Sequence, residues 1–340
     1  ELGNDVTFWY LHSSRKHYPW KDLNYGENFF IFKKTISDFL KLYRQAKKQD
    51  IVIITGWHSW GHVLLTVLIT QTKNCKCSLW LDVPEPPTPG LKKQLKNFIL
   101  SLADGYFITG EAGIDLFHKY YNLGFTKCYD FPYLEKKPSL NEIKKINKVR
   151  EEALNQGDQI RLLISNRFIH RKGYSIVYDA ISKLSEDTLN RLQIDILGVG
   201  VEKEHYEAKL TALGNNIKIH GWVEYDQYLD FMSHTDIYLH ASIHEPYGIP
   251  PMDAMSRGKL VISSDGVISS KSRIIHGRNG YLYNANSSEQ LKRLLEQTVQ
   301  YPEEIYQLGK QGMIESEKYD VRYNYDSIVR FLGKSKSLKI

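Results

Sequence analysis

The sequence predicts an α/β protein made of two doubly wound, parallel-sheet domains that face each other across a cleft. Three observations carry this expectation. Short apolar runs alternate with amphipathic stretches along the chain, the pattern of parallel strands covered by helices. The chain has 340 residues, more than one ordinary core holds, so two domains of about 150 residues each are the prior. The alternation is interrupted near the middle by a polar stretch carrying proline, lysines and glycine.

The candidate strands of the first half are 6–11, 51–55, 78–81 and 106–109. Those of the second half are 162–165, 193–197, 217–220, 237–240 and 260–263, with helical stretches between them. The interrupting stretch, 136–158, holds Pro138, a lysine-rich helix over 141–150, and Asn155 to Asp158. It reads as a linker between a domain over 1–135 and a domain over 159–318. Residues 319–340 read as a C-terminal helix with a frayed basic tail, placed to pack back on the first domain. Two open α/β sheets that face each other bind ligands between the carboxyl ends of their strands.

Composition narrows the class. With 42% hydrophobic and 25% charged residues and no low-complexity tract, the chain reads as a globular protein. The net charge of +6 is well short of a nucleic-acid binder, so no nucleic-acid partner is expected. Three cysteines, Cys75, Cys77 and Cys128, argue against a disulfide framework and for a reducing, cytoplasmic compartment. Cys75 and Cys77 have no second pair, so no zinc site is read from them. No secretory signal opens the chain, and its longest apolar run, 62–70, is far below the ~20 residues of a membrane span. The 23 tyrosines and 6 tryptophans suit stacking on bases and sugars, or are a habit of composition. The stretches 32–48 and 91–102 each carry one apolar face flanked by cations. Such helices either face a core or rest on acidic lipid, which admits peripheral contact with the inner face of a membrane.

Four segments of the second half suit one ligand. After the strand ending at Ser165, Arg167 and Lys172 precede Gly173 and a helix, either an anion pocket fit for a nucleotide diphosphate or a solvated basic loop. Gly198 and Gly200 follow the next strand, where glycine lets backbone approach a ligand or simply makes a turn. The loop Gly221-Trp222-Val223-Glu224 places Val223 where its backbone can read a base edge, unless it is a plain surface loop. The fourth segment runs from Tyr238 to Gly258 and is the most informative. It holds Glu245, a turn at Gly248, a helix opened by Pro250 and Pro251, and Asp253 inside that helix. A loop carboxylate can hold sugar hydroxyls, a helical one can accept ribose hydroxyls, and free N–H groups at Gly248 and Ile249 point toward the same cleft.

Taken together, Arg167 and Lys172 as R-x4-K, Gly198 and Gly200 as G-x-G, the G-W-V loop, and Ser242-Ile-His-Glu-Pro-Tyr-Gly-Ile249 resemble the family 4 retaining glycosyltransferases of GT-B fold. The likeness is clear over about 160–290 and holds only in outline in the first half, at 103–110 and 127–133. It implies that Arg167 and Lys172 neutralise a leaving diphosphate. It further implies that Val223 and Gly200 line the nucleotide site, that Glu245, Gly248 and Ile249 hold the donor sugar, and that Asp253 binds ribose. The family carries Glu where Asp253 stands, and a glycine-rich loop where 11–16 has none. Asp82 stands where many members have a histidine, and His58 lies in a Gly- and Trp-rich loop; both are candidate contacts to acceptor or sugar. No D-x-D triplet occurs, so neither a metal nor another cofactor is expected. The implied activity is metal-independent, retaining transfer from a nucleotide-sugar, UDP-linked on family frequency. The implied acceptor is a saccharide, glycolipid or glycoprotein of bacterial surface glycan synthesis. Two other readings remain: a non-catalytic sugar- or nucleotide-binding subunit, and a disaccharide synthase or phosphorylase.

Overall fold

The computed structural model describes residues 8–10, 29–31, 35–56, 60–84, 86–87, 89–134 and 139–333. A two-stranded parallel pair, β1 (Phe8–Tyr10) and β2 (Phe29–Ile31), comes first. Then follow α1 (Ile36–Ala46), β3 (Ile51–Thr55), α2 (Trp60–Thr70), β4 (Lys76–Leu81), α3 (Leu91–Leu102), β5 (Gly105–Ile108), α4 (Glu111–Tyr121) and β6 (Cys128–Asp130). The strands β3 to β6 pair in that order, all parallel. After α5 (Leu140–Asn155) come β7 (Ile160–Ser165), α6 (Tyr174–Ile181), α7 (Glu186–Asn190), β8 (Leu192–Leu197), α8 (Lys203–Thr211) and β9 (Ile217–Gly221). The chain continues through α9 (Tyr225–His234), β10 (Ile237–His240), α10 (Ile249–Ser256), β11 (Leu260–Ser264), α11 (Ile268–Arg273), β12 (Tyr281–Tyr283), α12 (Ser288–Gln300), α13 (Glu303–Ser316) and α14 (Val321–Leu332).

The second sheet has the order β12-β11-β10-β7-β8-β9, again parallel throughout. The chain walks outward from β7 to β9, then returns to lay β10 on the other side of β7. That reversal is a topological switch point, and it opens a crevice where the loops after β7 and β10 diverge. Alternation along β7 feeds two cores. Ile160, Leu162 and Ile164 face one cluster with α6 and α12, and Leu163 faces another with Tyr238, Met252 and Met255.

The stretch read as a linker is mostly α5, and α5 is docked on the second sheet by charge. Arg150 donates from Nε and Nη2 to the two carboxylate oxygens of Asp236, at 3.2 and 2.8 Å, and from Nη1 to Asp158 at 2.6 Å. Asp236 is fully buried and also accepts from the Arg161 N–H and the Tyr306 hydroxyl, at 2.8 and 2.6 Å. One carboxylate thus joins α5, β7, β10 and α13, with its charge and lone pairs satisfied. Beside it, the buried Lys259 donates to Asn147 Oδ1 at 2.6 Å. Burial pushes the Lys259 ammonium down to about 7, against the pull of Asp236. The unfolded lysine keeps a proton up to its ordinary pKa of 10.5, so between these values unfolding takes up a proton and stability rises with pH. Wild type should therefore gain on the order of 3 kcal/mol relative to Lys259→Met between pH 7 and pH 10. Paired thermal melts check this, and a constant difference across that range would refute it.

The last helix returns to the first sheet. Ser327 Oγ donates to the Asp130 carbonyl at 2.9 Å, Asn324 Nδ2 to the Pro132 carbonyl at 3.0 Å, and the Tyr323 hydroxyl to the Asp130 carboxylate at 2.9 Å. The Phe331 ring packs on Phe107 at 5.5 Å and lies so close to Gly105 that an added Cβ would meet it at 2.7 Å. On the opposite face of this sheet lie α1, α2 and α3. Of the two expectations for 91–102, packing on the core holds for only part of the apolar face of α3. Ile99 and Leu100 are buried, but Leu91, Leu95 and Phe98 are exposed. The core is already closed by Phe39, Leu42, Leu65 and Ile69 of the neighbouring helices, so only the last turns of α3 reach it.

Candidate active site at the switch point of the second sheet

Because β10 pairs with β7, the loops that leave their carboxyl ends are neighbours. The first loop passes Asn166, Arg167 and a tight turn over His170–Lys172 before Gly173 starts α6. Gly173 has φ of 72°, and a Cβ there would lie 2.0 Å from the Ala241 carbonyl oxygen. Only glycine lets the two loops approach this closely. Ile243 N–H then donates to the Arg171 carbonyl at 2.8 Å and locks them together.

The contact brings Glu245 to Lys172. They form an ion pair, with Arg171 at 3.7 Å from the same carboxylate oxygen. Ser242 Oγ donates to that oxygen at 3.4 Å, and His240 Nε2 stands 3.8 Å away. Burial alone would raise the Glu245 carboxyl, but His240 and Lys172 outweigh it and hold it far below the usual carboxylate range. Burial pulls the Lys172 ammonium down; Glu245 opposes this, while Arg171 and Arg167 push the same way as burial. Two cations therefore meet one anion and Arg167 adds positive charge toward Lys172, a surplus suited to a second, incoming anion.

His240 was not singled out in the sequence, and it orders the carboxylate. Its Nδ1 lies 3.0 Å from the Tyr238 hydroxyl and 3.4 Å from Asn166 Nδ2. The amide can only donate, which makes Nδ1 an acceptor and leaves the ring proton on Nε2. That nitrogen points to Ser242 Oγ at 3.2 Å and to Glu245 beyond. Full burial pulls the ring's pKa down, which agrees with a neutral imidazole.

The other expected residues divide. Arg167 is exposed at the mouth of the first loop. Gly198 and Gly200 press on that loop from the β8 side, where added Cβ atoms would sit 1.9 Å from the Asn166 oxygen and 2.2 Å from the Phe168 oxygen. Their demand for glycine is met by loop packing alone. Val223 and Trp222 line a groove of about 660 Å³ with His220, Asp226 and Phe231. Gly248, at φ of 94°, caps α10, and the exposed Ile249 opens it. Pro250 and Pro251 follow, so two of the four free N–H groups of an ordinary first turn are missing, and Gly248 and Ile249 matter more for it.

Asp253, the expected ribose contact, is buried. It is 2% exposed, accepts from the Tyr228 hydroxyl at 2.8 Å and has Arg257 at 3.8 Å. Its side chain, shorter than the Glu that the resemblance implies, ends beneath α9. Asp82 is exposed at the end of β4 and accepts from the Tyr133 hydroxyl at 3.0 Å. Tyr133 in turn packs edge-on against Tyr247 of the Glu245 loop, at 5.2 Å, so Asp82 does reach the second half through one ring. His58 lies outside the described residues. Among the described residues, no three His, Cys, Asp or Glu are grouped so as to hold a metal ion.

The second half resembles known proteins. Residues 145–313 match the family of glycosyl transferases group 1. The matched stretch begins inside α5 and includes both Arg150 and Asp236. An uncharacterized glycosyltransferase of Methanocaldococcus jannaschii is 29% identical over 164 residues, 47% of this chain and 40% of that protein. The lipopolysaccharide core biosynthesis glycosyltransferase LpsE of Rhizobium meliloti is 27% identical over 137 residues, 39% of this chain and 37% of that protein. The chain thus matches well under half the length of these two relatives. Among solved structures, Anabaena HepE, determined with UDP and glucose, superposes with a TM-score of 0.67 at 17% identity, covering 90% of this chain and 85% of that one. The fold is GT-B, shared also with a sucrose-phosphate synthase of Thermosynechococcus elongatus at a TM-score of 0.64 and 17% identity, over 87% of this chain and 75% of that one.

Proposed function

We propose that the group 1 domain and the sheet facing it transfer a sugar from a nucleotide diphosphate donor, with retention at the anomeric carbon and without a metal. The observation that carries this reading is the Glu245–Lys172 pair at the switch point, with Arg171 and Arg167 adding charge around it. In this reading Lys172 and Arg167 receive the diphosphate, and charge that builds on it as the glycosidic bond breaks meets cations already in place. Glu245 holds the sugar hydroxyls, kept ionised by His240 and Lys172. The Gly248 and Ile249 N–H groups face the sugar or its phosphate, and Val223 and Gly200 border the base. Ribose falls to Asp253, which the Tyr228 hydroxyl holds through one carboxylate oxygen. The acceptor, a saccharide, glycolipid or glycoprotein, enters from the first sheet, where Asp82 and His58 are the candidate contacts.

UDP is the nucleotide of choice, supported by the UDP complexes of HepE and of the pneumococcal O-GlcNAc transferase GtfA. LpsE supports a surface-glycan role by its name. A ligand that binds only the folded chain raises its stability by mass action, about 2.7 kcal/mol at a hundredfold excess over Kd. The melting temperature should therefore climb by several degrees with UDP or a UDP-sugar, less with GDP, ADP or CMP analogues, and equally with excess EDTA. No response to any nucleotide would sink the donor assignment, and a response abolished by EDTA would sink the metal-free part.

A further inference from the structure

The outer side of the first sheet's helix layer carries an apolar surface that the proposed reaction does not use. The inward residues of α1, α2 and α3 share one core, so these helices lie side by side with their other faces outward. Each outward face carries exposed apolar residues among polar ones. On α1, Ile36 is 77% exposed and Leu40 follows one turn later; on α2, Trp60 is 57% exposed. On α3, Leu91, Leu95 and Phe98 make a stripe at helical spacing, exposed by 83%, 58% and 56%. Solitary exposed apolar residues need no explanation, but rows of them on adjoining helices do.

The charges on these helices are predominantly positive. Lys41 and Arg44 lie on α1, and Lys92, Lys93 and Lys96 on α3, against the single carboxylate Asp38; α2 has neither acid nor base in its end turns. Leucine and phenylalanine anchors with lysines beside them suit a helix lying flat in the headgroup region of an anionic bilayer. No helix among the described residues is long and apolar enough to cross a membrane, so the match is to a surface and not to a span.

Topology adds a second argument. The strands β3, β4 and β5 are parallel, and α1, α2 and α3 each lead into one of them. Each helix therefore runs against the strands, and its first residue sits at the carboxyl end of the sheet. Ile36, Trp60 and Leu91 are those first residues. The apolar rows begin at the edge that opens on the cleft.

We propose that this face of α1–α3 docks the protein on an anionic lipid surface, with the mouth of the cleft at the membrane. The docking stands on the surface itself. Its consequence, delivery of a lipid-borne acceptor into the cleft, rests on the transferase reading.

Sedimentation with vesicles tests it, using phosphatidylcholine alone and equal parts of phosphatidylcholine and phosphatidylglycerol. The full chain should pellet with the anionic vesicles and be released by high salt, because surface charge is screened. Leu95→Glu with Phe98→Glu should reduce binding at least tenfold with an unchanged melting temperature, since both side chains are already in solvent. Lys92→Gln with Lys93→Gln should reduce it roughly 25-fold, at about fivefold per cation. Transfer to a water-soluble acceptor should be the same in these variants, which separates failure of docking from failure of the transferase reading. Absence of binding to anionic vesicles, or binding that survives both pairs of substitutions, overturns the proposal. So does self-association in light scattering that the Leu95 and Phe98 changes abolish without any vesicle binding, because the face would then cover a second copy.

Discussion

Glu245→Gln is expected to lower kcat/KM by about 10³-fold, the scale reached when one preorganised charge partner of a transition state is removed. The change keeps shape and removes only charge. Lys172 then loses its ion partner while nine-tenths buried, with Arg171 and Arg167 still beside it. Stranding one member of a buried pair costs about 3 kcal/mol, or about 10 °C in Tm for a domain of this size. Activity and stability therefore fall together in the single variant and must be separated. Glu245→Gln combined with Lys172→Met removes both charges and should recover most of the lost melting temperature while remaining inactive. If either variant turned over at the wild-type rate, Glu245 would not be the donor-site carboxylate.

Asp236→Ala should be the most damaging single change outside the cleft, at about 4 kcal/mol. It leaves the Arg150 guanidinium, the Arg161 N–H and the Tyr306 hydroxyl without their shared acceptor. Arg150 cannot shed its proton to relieve the burial. The expected drop in Tm is about 12 °C, measurable by calorimetry on the whole chain. Arg150→Met together with Asp236→Leu should lose less, since no guanidinium is then stranded and only the neutral Arg161 N–H and Tyr306 hydroxyl lack their acceptor. A drop of only a degree or two in Asp236→Ala would show that water reaches the junction.

These two carboxylates show where a sequence stops being readable. The strands around both were legible, because each holds three apolar residues in a row within a run of four to six. Strands β2, β6 and β12 were not, at three residues each, too short for any period to register. Glu245 stood out because prolines, a glycine and a strand surround it. Its partnership with Lys172 depends on strand order, β10 beside β7, which no local pattern states. Asp236 drew no notice: its partner Arg150 is 86 positions away, and an Arg in a lysine-rich helix reads as one more solvated charge. His240 was hidden in the same way, since a histidine at a strand end looks like filler until its two nitrogens are traced. The stripe on α3 was visible as a stripe, but periodicity does not say which side of a helix another element covers.

The return of α14 to the first sheet has a mechanical meaning. The chain crosses between the halves once after β6 and again between α13 and α14, so the halves hang on two straps. Two pivots define an axis. Rotation about the line through them, as a book opens, would stretch neither strap, while twisting or sliding of one half over the other would. The Tyr133–Tyr247 contact and the Arg273 guanidinium stacked 3.8 Å over the Tyr319 ring sit beside these straps, where a small rotation changes distances least. The spine of the book is thus the part of the molecule that can stay packed while its covers move.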